Sequence, residues 1–168
     1  MESRKVLNQK AIETIVLRMV YQAREQFFDF EELIIIGVEG EGYFLAEMIK
    51  SKLDEMKAFR TSLFLLKLKK HEQKRPEIAF EPNLPNLDGK PVLLVDDVLN
   101  SGRTLTYCLS PLVEYEIPSI KIAVLVERTY RKFPVSSSIT GISLSTTFEE
   151  NVIAVLKGNE NEMGVYLS

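Results

Sequence analysis

Apolar residues fall along this chain in two patterns. Near the N-terminus Ile12, Ile15, Val16, Met19, Val20, Ala23 and Phe27 recur at helical spacing, and Asn8 stands where a side chain would cap that helix. Further on the apolar runs are unbroken: LIIIGV at 33–38 and the aliphatic start of VLLVDD at 92–97. Runs without alternation predict strands buried on both faces, as in a parallel sheet. KIAVLVE at 121–127 and VIAVL at 152–156 complete the strand set, and TSLFLLKLK at 61–69 is strand-like. A glycine-punctuated turn, EGEGYF, leads from the first run into an amphipathic helix through Leu45, Ala46, Ile49 and Leu53. A third helix is predicted from Thr104 to Tyr115, and Pro111 must kink or split it. Residues 70–91 break the rhythm: they are charged, contain Pro76, Pro82, Pro85 and Pro91, and predict a loop or an irregular hairpin arm. Strands alternating with helices predict an α/β fold, a central mostly parallel sheet flanked by helices. Such a sheet binds ligands beyond the carboxyl ends of its strands.

Composition narrows the classes. The chain has 168 residues, 45% of them apolar, which suits a single domain with a real core. Lys and Arg total 21 against 24 Asp and Glu, a formal net charge of 21 − 24 = −3, so there is no general electrostatic case for nucleic-acid binding. The single cysteine, Cys108, excludes an intrachain disulfide, and with His71 as the sole histidine there is no Cys/His metal cluster. The polar start, MESRKVLNQK, is unlike a signal peptide, and no apolar run approaches a membrane span. A soluble, cytoplasmic protein without a membrane partner is expected. Cys108, with Leu105, Leu109 and Leu112 around it, reads as core, and Phe27, Phe28 and Phe30 read as packing the first helix onto the domain.

The segment VLLVDDVLNSGRTL, 92–105, carries the chemistry. Asp96 and Asp97 end a buried strand where the ligand crevice should open, and adjacent carboxylates repel unless a metal ion or a ligand with paired hydroxyls compensates. Asn100 to Thr104 lead into a helix, whose N-terminus suits a phosphate. Gly102 lets the backbone approach an anion, and the hydroxyls of Ser101 and Thr104 add hydrogen bonds. The spacing fits a receptor for a ribose 5-phosphate, and it equally fits a helix cap beside an acidic turn.

The same residues strongly resemble the signature of the type I phosphoribosyltransferases. The resemblance implies that Asp96 and Asp97 hold the ribose hydroxyls of phosphoribosyl pyrophosphate and act as the catalytic pair. It implies that Asn100, Ser101, Gly102, Arg103 and Thr104 wrap the 5-phosphate. It also implies Mg2+, reached from Asp96 and Asp97 through the ligand or a water. The order of LIIIGVEGEGYFLAEMI, the charged loop, the signature and AVLVERTYRKFPVSSSITGISLST is similar to one subgroup, the pyrimidine-operon attenuator proteins that are also uracil phosphoribosyltransferases. That subgroup implies the type I phosphoribosyltransferase fold with a flexible loop and a small hood, here from the terminal segments, roughly 1–15 and 128–168. It implies a homodimer or tetramer.

Three departures from the pattern matter. The turn Glu39-Gly40-Glu41-Gly42 takes the place of the pyrophosphate loop, with glutamates where relatives carry basic residues. A carboxylate facing pyrophosphate is repulsive unless Mg2+ bridges them, or unless the side chains point to solvent and leave the backbone N–H groups to the anion. The strand before the charged segment is apolar through Leu66, and Lys67, Lys69 and Lys70, with Lys74 and Arg75, then offer either a flexible lid over the pyrophosphate or a solvated charged loop. Glu127 replaces the subgroup's Asp, in AVLVERTYRKFP where members resemble AVLVDRGHRELP; Glu127 and Arg128 are the candidates for the base or nucleotide, with Tyr130 either stacked on a ligand or on the surface.

Two functions follow. The first is a phosphoribosyltransferase, a pentosyltransferase that moves the phosphoribosyl group to a nucleobase, uracil by resemblance, and releases a nucleoside monophosphate and pyrophosphate. The second is a nucleotide-sensing regulator with weak or lost catalysis; Glu39 and Glu41 motivate it. RNA as its partner is disfavoured by the acidic balance, although Arg131, Lys132 and the 67–75 cluster offer a patch. A third version keeps the enzyme and changes the acceptor.

Overall fold

Asn8 closes the short strand β1 (Arg4–Asn8) and caps the helix α1 (Gln9–Gln26), its Oδ1 accepting from the Ala11 N–H at 2.9 Å. Such a cap contributes about 1 kcal/mol. The predicted stripe is real: Ile12, Val16, Met19, Val20 and Ala23 are buried. The structure is a computed structural model that describes residues 4–71, 74–147, 150–158 and 162–168, without the side chains of 70, 71, 74 and 75.

The remaining elements are β2 (Glu32–Val38), α2 (Glu41–Glu55), β3 (Arg60–His71), β4 (Lys74–Glu81), β5 (Val92–Leu99), α3 (Arg103–Leu109), a 3-10 turn (Leu112–Glu114), β6 (Ile120–Arg128), β7 (Ile139–Leu144), β8 (Val152–Val155) and β9 (Gly164–Leu167). Six strands form the main sheet in the order β4-β3-β2-β5-β6-β7. All neighbours are parallel except β3 and β4, which form an antiparallel hairpin. The expected mostly parallel α/β sheet is present. Pro111 splits the third predicted helix, as its missing N–H requires, into α3 and the 3-10 turn.

The unbroken runs are buried on both faces because helices cover both. Leu33, Ile35, Leu93 and Val95 pack with α1 and α2, while Ile34, Ile36, Val92 and Leu94 pack with Leu105, Cys108 and Leu112. Each fully buried Leu or Ile contributes about 1.5–3 kcal/mol. Cys108 is core, as expected, and burial pushes its thiol up to about 12, with the charge of Asp96 adding to the effect.

Several expectations are corrected. VIAVL is a strand, but not of the main sheet: β8 pairs antiparallel with β9 in a separate three-stranded sheet of order β1-β9-β8. Its half-exposed pattern suits a small sheet lying on a core better than a strand sandwiched inside one. The stretch 128–168 expected for the hood also contains β7, the sixth strand of the main sheet. Residues 74–81 follow the hairpin-arm alternative and not the loop: they form the second strand of the hairpin, with a register shift between Lys69 and His71. Phe27 is buried and meets Phe30 edge-on with centroids 6.3 Å apart, but Phe28 is 76% exposed, because position 28 falls outside the buried stripe of α1. No helix among the described residues is long and apolar enough to cross a membrane.

Candidate functional site

Strand order sets the place of the site. From β2 the chain moves one way to β3, then returns to lay β5 on the other side of β2. The crevice beyond the carboxyl ends of β2 and β5 is therefore the topological switch point, where such sheets bind ligands. The turn 39–42 comes from β2, and Asp96 to Thr104 come from β5.

The two loops touch. A Cβ built on Gly42 would lie 2.9 Å from Asp96 Oδ1 and 3.0 Å from Asp96 Cα, so a side chain there would displace the carboxylate. Asp96 is only 7% exposed, and its Oδ1 accepts from the Asp97 N–H at 2.9 Å. Burial holds the Asp96 carboxyl well above the usual carboxylate range, and the charge and side-chain hydrogen bond of Asp97 raise it further. Asp97 is half-buried at the mouth. Asp96, Val98, Leu99 and the segment Asn100 to Leu105 close round a hollow of about 40 Å³. Gly102 bends the chain into it with φ 86°, left-handed backbone that disfavours a side chain. A Cβ on Gly102 would also press on Phe133, 3.2 Å from its carbonyl oxygen. Arg103 and Thr104 are exposed, and the Arg103 guanidinium lies over the Tyr107 ring at 5.7 Å.

A neighbouring segment holds this hollow in shape. The Ser101 carbonyl accepts from the N–H groups of Lys132 and Phe133, each at 3.0 Å, and the Asn100 carbonyl accepts from Arg131 Nη1 at 2.9 Å. Arg128 is 4% exposed, and its guanidinium is divided among Asn100 Oδ1 at 2.9 Å, Thr146 Oγ1 at 2.7 Å and the Thr147 carbonyl at 3.0 Å. Arg128 thus shapes the loop from inside. Glu127 is likewise engaged, accepting from Arg131, from Ser137 Oγ at 2.6 Å and from Thr140 Oγ1 at 3.0 Å. Partial burial pushes its carboxyl up, but these hydrogen bonds and the charge of Arg131 outweigh that and hold it below the usual range. Glu127 and Arg128 still line a cavity of about 460 Å³ with Phe133, Val135 and Ser143, though their polar ends face partners within the protein. Runs of hydroxyl residues, SSSIT at 136–140 and STT at 145–147, are the one sequence signal that these two charges would find internal partners.

Glu39 is exposed and Glu41 half-buried, and each accepts a backbone hydrogen bond from another part of the chain. Glu39 Oε1 accepts from the Leu68 N–H of β3 at 2.7 Å, and Glu41 Oε2 accepts from the Leu156 N–H beyond β8 at 2.6 Å. Both carboxylates are turned to the elements flanking the turn, and Gly40 is left exposed between them. Lys67 pairs with Glu81 across the hairpin at 2.6 Å, so it belongs to a strand pair and not to a loose lid; Lys69 is exposed. The side chains of Lys70, His71, Lys74 and Arg75 lie outside the described residues. Among the described residues no cluster of three or more His, Cys, Asp and Glu side chains could hold a metal ion. The two aspartates fit instead a Mg2+ that arrives on phosphate oxygens, which needs only one or two carboxylates.

The family model of the phosphoribosyl transferase domain matches residues 3–156. The chain is 29% identical over 168 residues to the bifunctional protein PyrR of Microcystis aeruginosa, covering 96% of this chain and 95% of that one. It is 24% identical over 174 residues to the bifunctional protein PyrR of Macrococcus caseolyticus, covering 99% of each. Among solved structures, a hypoxanthine-guanine phosphoribosyltransferase from Bacillus anthracis superposes with a TM-score of 0.78 at 15% identity, over all of this chain and 99% of that one; the likeness is one of fold.

Proposed function

The chain belongs to the phosphoribosyl transferase family and has the type I fold, and on that premise we propose that it transfers the phosphoribosyl group of phosphoribosyl pyrophosphate to a nucleobase. The observation that carries the reading is the Asp96-to-Leu105 hollow at the switch point, with Gly42 of the opposite loop against Asp96. In this reading Asn100 to Thr104 receive the 5-phosphate, and Asp97, at the mouth, receives the ribose hydroxyls. Burial, and then the charge of Asp97, push the Asp96 carboxyl up, which limits the charge repulsion within the pair. The backbone of 39–42 lies on the leaving-group side. Mg2+ would supply positive charge to the phosphates, and Asp97 and Asp96 are the residues that would hold it through the ligand or a water.

The bond from the anomeric carbon to the pyrophosphate oxygen breaks, a carbon–nitrogen bond to the base forms, and the base's proton passes to solvent. The chain's part is positioning and charge, with Asp97 opposing the positive charge that develops on the sugar. Uracil is the acceptor we propose, supported by the likeness to PyrR proteins, and the cavity lined by Glu127, Arg128, Phe133 and Val135, whose Phe133 meets Gly102 of the phosphate loop, is where we place the planar base. Pyrophosphate release from phosphoribosyl pyrophosphate and Mg2+ across a panel of nucleobases tests this. Release with uracil alone is expected; release only with a purine would overturn the acceptor, and none with any base would overturn the activity.

A second reading, a nucleotide-responsive regulator, is favoured by relatives such as the pyrimidine operon regulatory protein of Lactococcus lactis, 24% identical over 170 residues. It uses the same hollow for a nucleoside monophosphate. The basic patch it would offer to RNA is thin: Arg131 is engaged by Glu127 and the Asn100 and Val135 carbonyls, and Lys67 by Glu81. A gel shift with loss of binding in rising salt would establish an RNA partner, and its absence would remove that version.

A further inference from the structure

The turn 39–42 holds two carboxylates where the proposed ligand is anionic, yet each is already bound to a backbone N–H of a different element. Glu39 holds β3, an element of the same sheet. Glu41 does something else: it reaches across 115 positions of sequence to Leu156, the first residue beyond β8, and so ties the three-stranded sheet to the first turn of α2. Two further contacts lie on this seam. Lys157, next in the chain, sits over the Phe44 ring at 4.8 Å, and Leu156 itself is buried in the core shared with Leu45 and Ala46. On the other side of Glu41 is Gly42, packed against Asp96. The order Leu156, Glu41, Gly42, Asp96 is a short mechanical chain from the small sheet to the carboxylate pair.

We infer that Glu41 is a positioning residue, a latch whose carboxylate fixes the small sheet to the first turn of α2 and, through Gly42, fixes the turn against Asp96. The inference rests on the reading of this crevice as the phosphoribosyl site. A carboxylate suits the task because a charged acceptor makes the stronger bond to an N–H, and the negative charge sits at the N-terminal turn of α2. It also explains how a glutamate is tolerated beside an anionic ligand: its oxygen is directed at the small sheet and not at the crevice.

The test compares the full chain with Glu41→Gln, which keeps a carbonyl acceptor, and Glu41→Ala, which removes it. Amide hydrogen exchange read by NMR reports the latch without reference to activity. The Leu156 N–H is expected to exchange about tenfold faster or more in Glu41→Ala, to stay within about threefold of wild type in Glu41→Gln, and the Leu93 N–H of β5 to be unchanged in both. Unchanged Leu156 exchange in Glu41→Ala would overturn the latch. Steady-state kinetics report the link to the site: KM for phosphoribosyl pyrophosphate is expected to rise about tenfold in Glu41→Ala with kcat nearly constant, and to be largely rescued in Glu41→Gln. A KM unmoved in Glu41→Ala, with Leu156 exposed, would overturn the positioning role. Should wild type turn over no base, the proposed activity fails separately, and the same rise is then read in the Kd for uridine 5′-monophosphate, where an unchanged Kd would likewise overturn the role.

Discussion

Two acidic pairs stand at the mouth of the main sheet, one at the end of β2 and one at the end of β5. Glu39 and Glu41 each accept a backbone N–H from a flanking element, at 2.7 and 2.6 Å. Asp96 and Asp97 have no cationic partner among the described residues; Asp96 is buried against Gly42, and its carboxyl is raised by burial and by its neighbour. The same chemical group is thus used in two ways a few residues from one switch point. One pair is satisfied by the fold and is quiet. The other is left electrostatically unfinished, and an unfinished pair in a crevice is where a ligand with hydroxyls, or a metal ion on phosphate oxygens, has something to stabilise. Residue type alone does not mark a functional carboxylate; its unmet interactions do.

The comparison predicts a ranking of effects. Asp97→Asn should lower turnover about 10²–10³-fold, the scale of removing one electrostatic contact to the transition state, with a melting temperature close to wild type. Wild-type turnover in that variant would erase the distinction between the pairs. Arg128→Ala should come next, in stability: it leaves Asn100 Oδ1, Thr146 Oγ1 and the Thr147 carbonyl without their buried donor. A loss of about 2–4 kcal/mol is expected, a fall of roughly 5–15 °C by calorimetry, with Arg128→Lys recovering less than half because it lacks the planar fork.

Asp96→Asn sharpens the contrast through pH. The folded protein holds this carboxyl protonated above the pH at which the unfolded chain would release it, near 3.8. Stability from Asp96 is therefore full below about pH 4 and is lost as pH rises through the raised folded value. Asparagine mimics the protonated acid at every pH, so the variant should melt about 2–6 °C above wild type at pH 8 and converge with it towards pH 4. A gap that widens on acidification would reverse the sign and contradict the burial argument. The smallest effect belongs to Glu39→Gln, whose carbonyl oxygen can still accept the Leu68 N–H: turnover within about threefold and stability within about 0.5 kcal/mol of wild type are expected in denaturant titrations.

How far these features could be read beforehand depends on whether they are local. LIIIGV and VLLVDD announce buried parallel strands because both faces are covered and no alternation intrudes, and Asn8 and Pro111 punctuate helices through their own chemistry. The residues of the hollow, Asp96 to Thr104, are contiguous, so their pattern is visible in one segment. β7 escaped because ITGISL mixes an alternating pattern with Gly141, whose space is filled by the Leu125 carbonyl and Ile15 of other elements. β1 and β9 are short and depend on each other across the length of the chain. The internal engagement of Arg128, Glu127 and Glu41 was hidden for the same reason: their partners lie from 4 to 115 positions away and become neighbours only in the fold. Motif position suggested ligand contacts for Arg128 and Glu127, and for Glu41 either a Mg2+ bridge or a solvent-facing side chain; the hydrogen bonds made within the protein lie in none of those readings.

The most direct test of the central claim is to titrate the folded chain with uridine 5′-monophosphate and follow its backbone amides by NMR. The account predicts saturable shifts at Asp97 and from Asn100 to Thr104, with the Leu68 N–H held by Glu39 unmoved. Shifts confined to other surfaces, or none at all in a folded sample, would contradict a ribose-phosphate receptor at the end of β5.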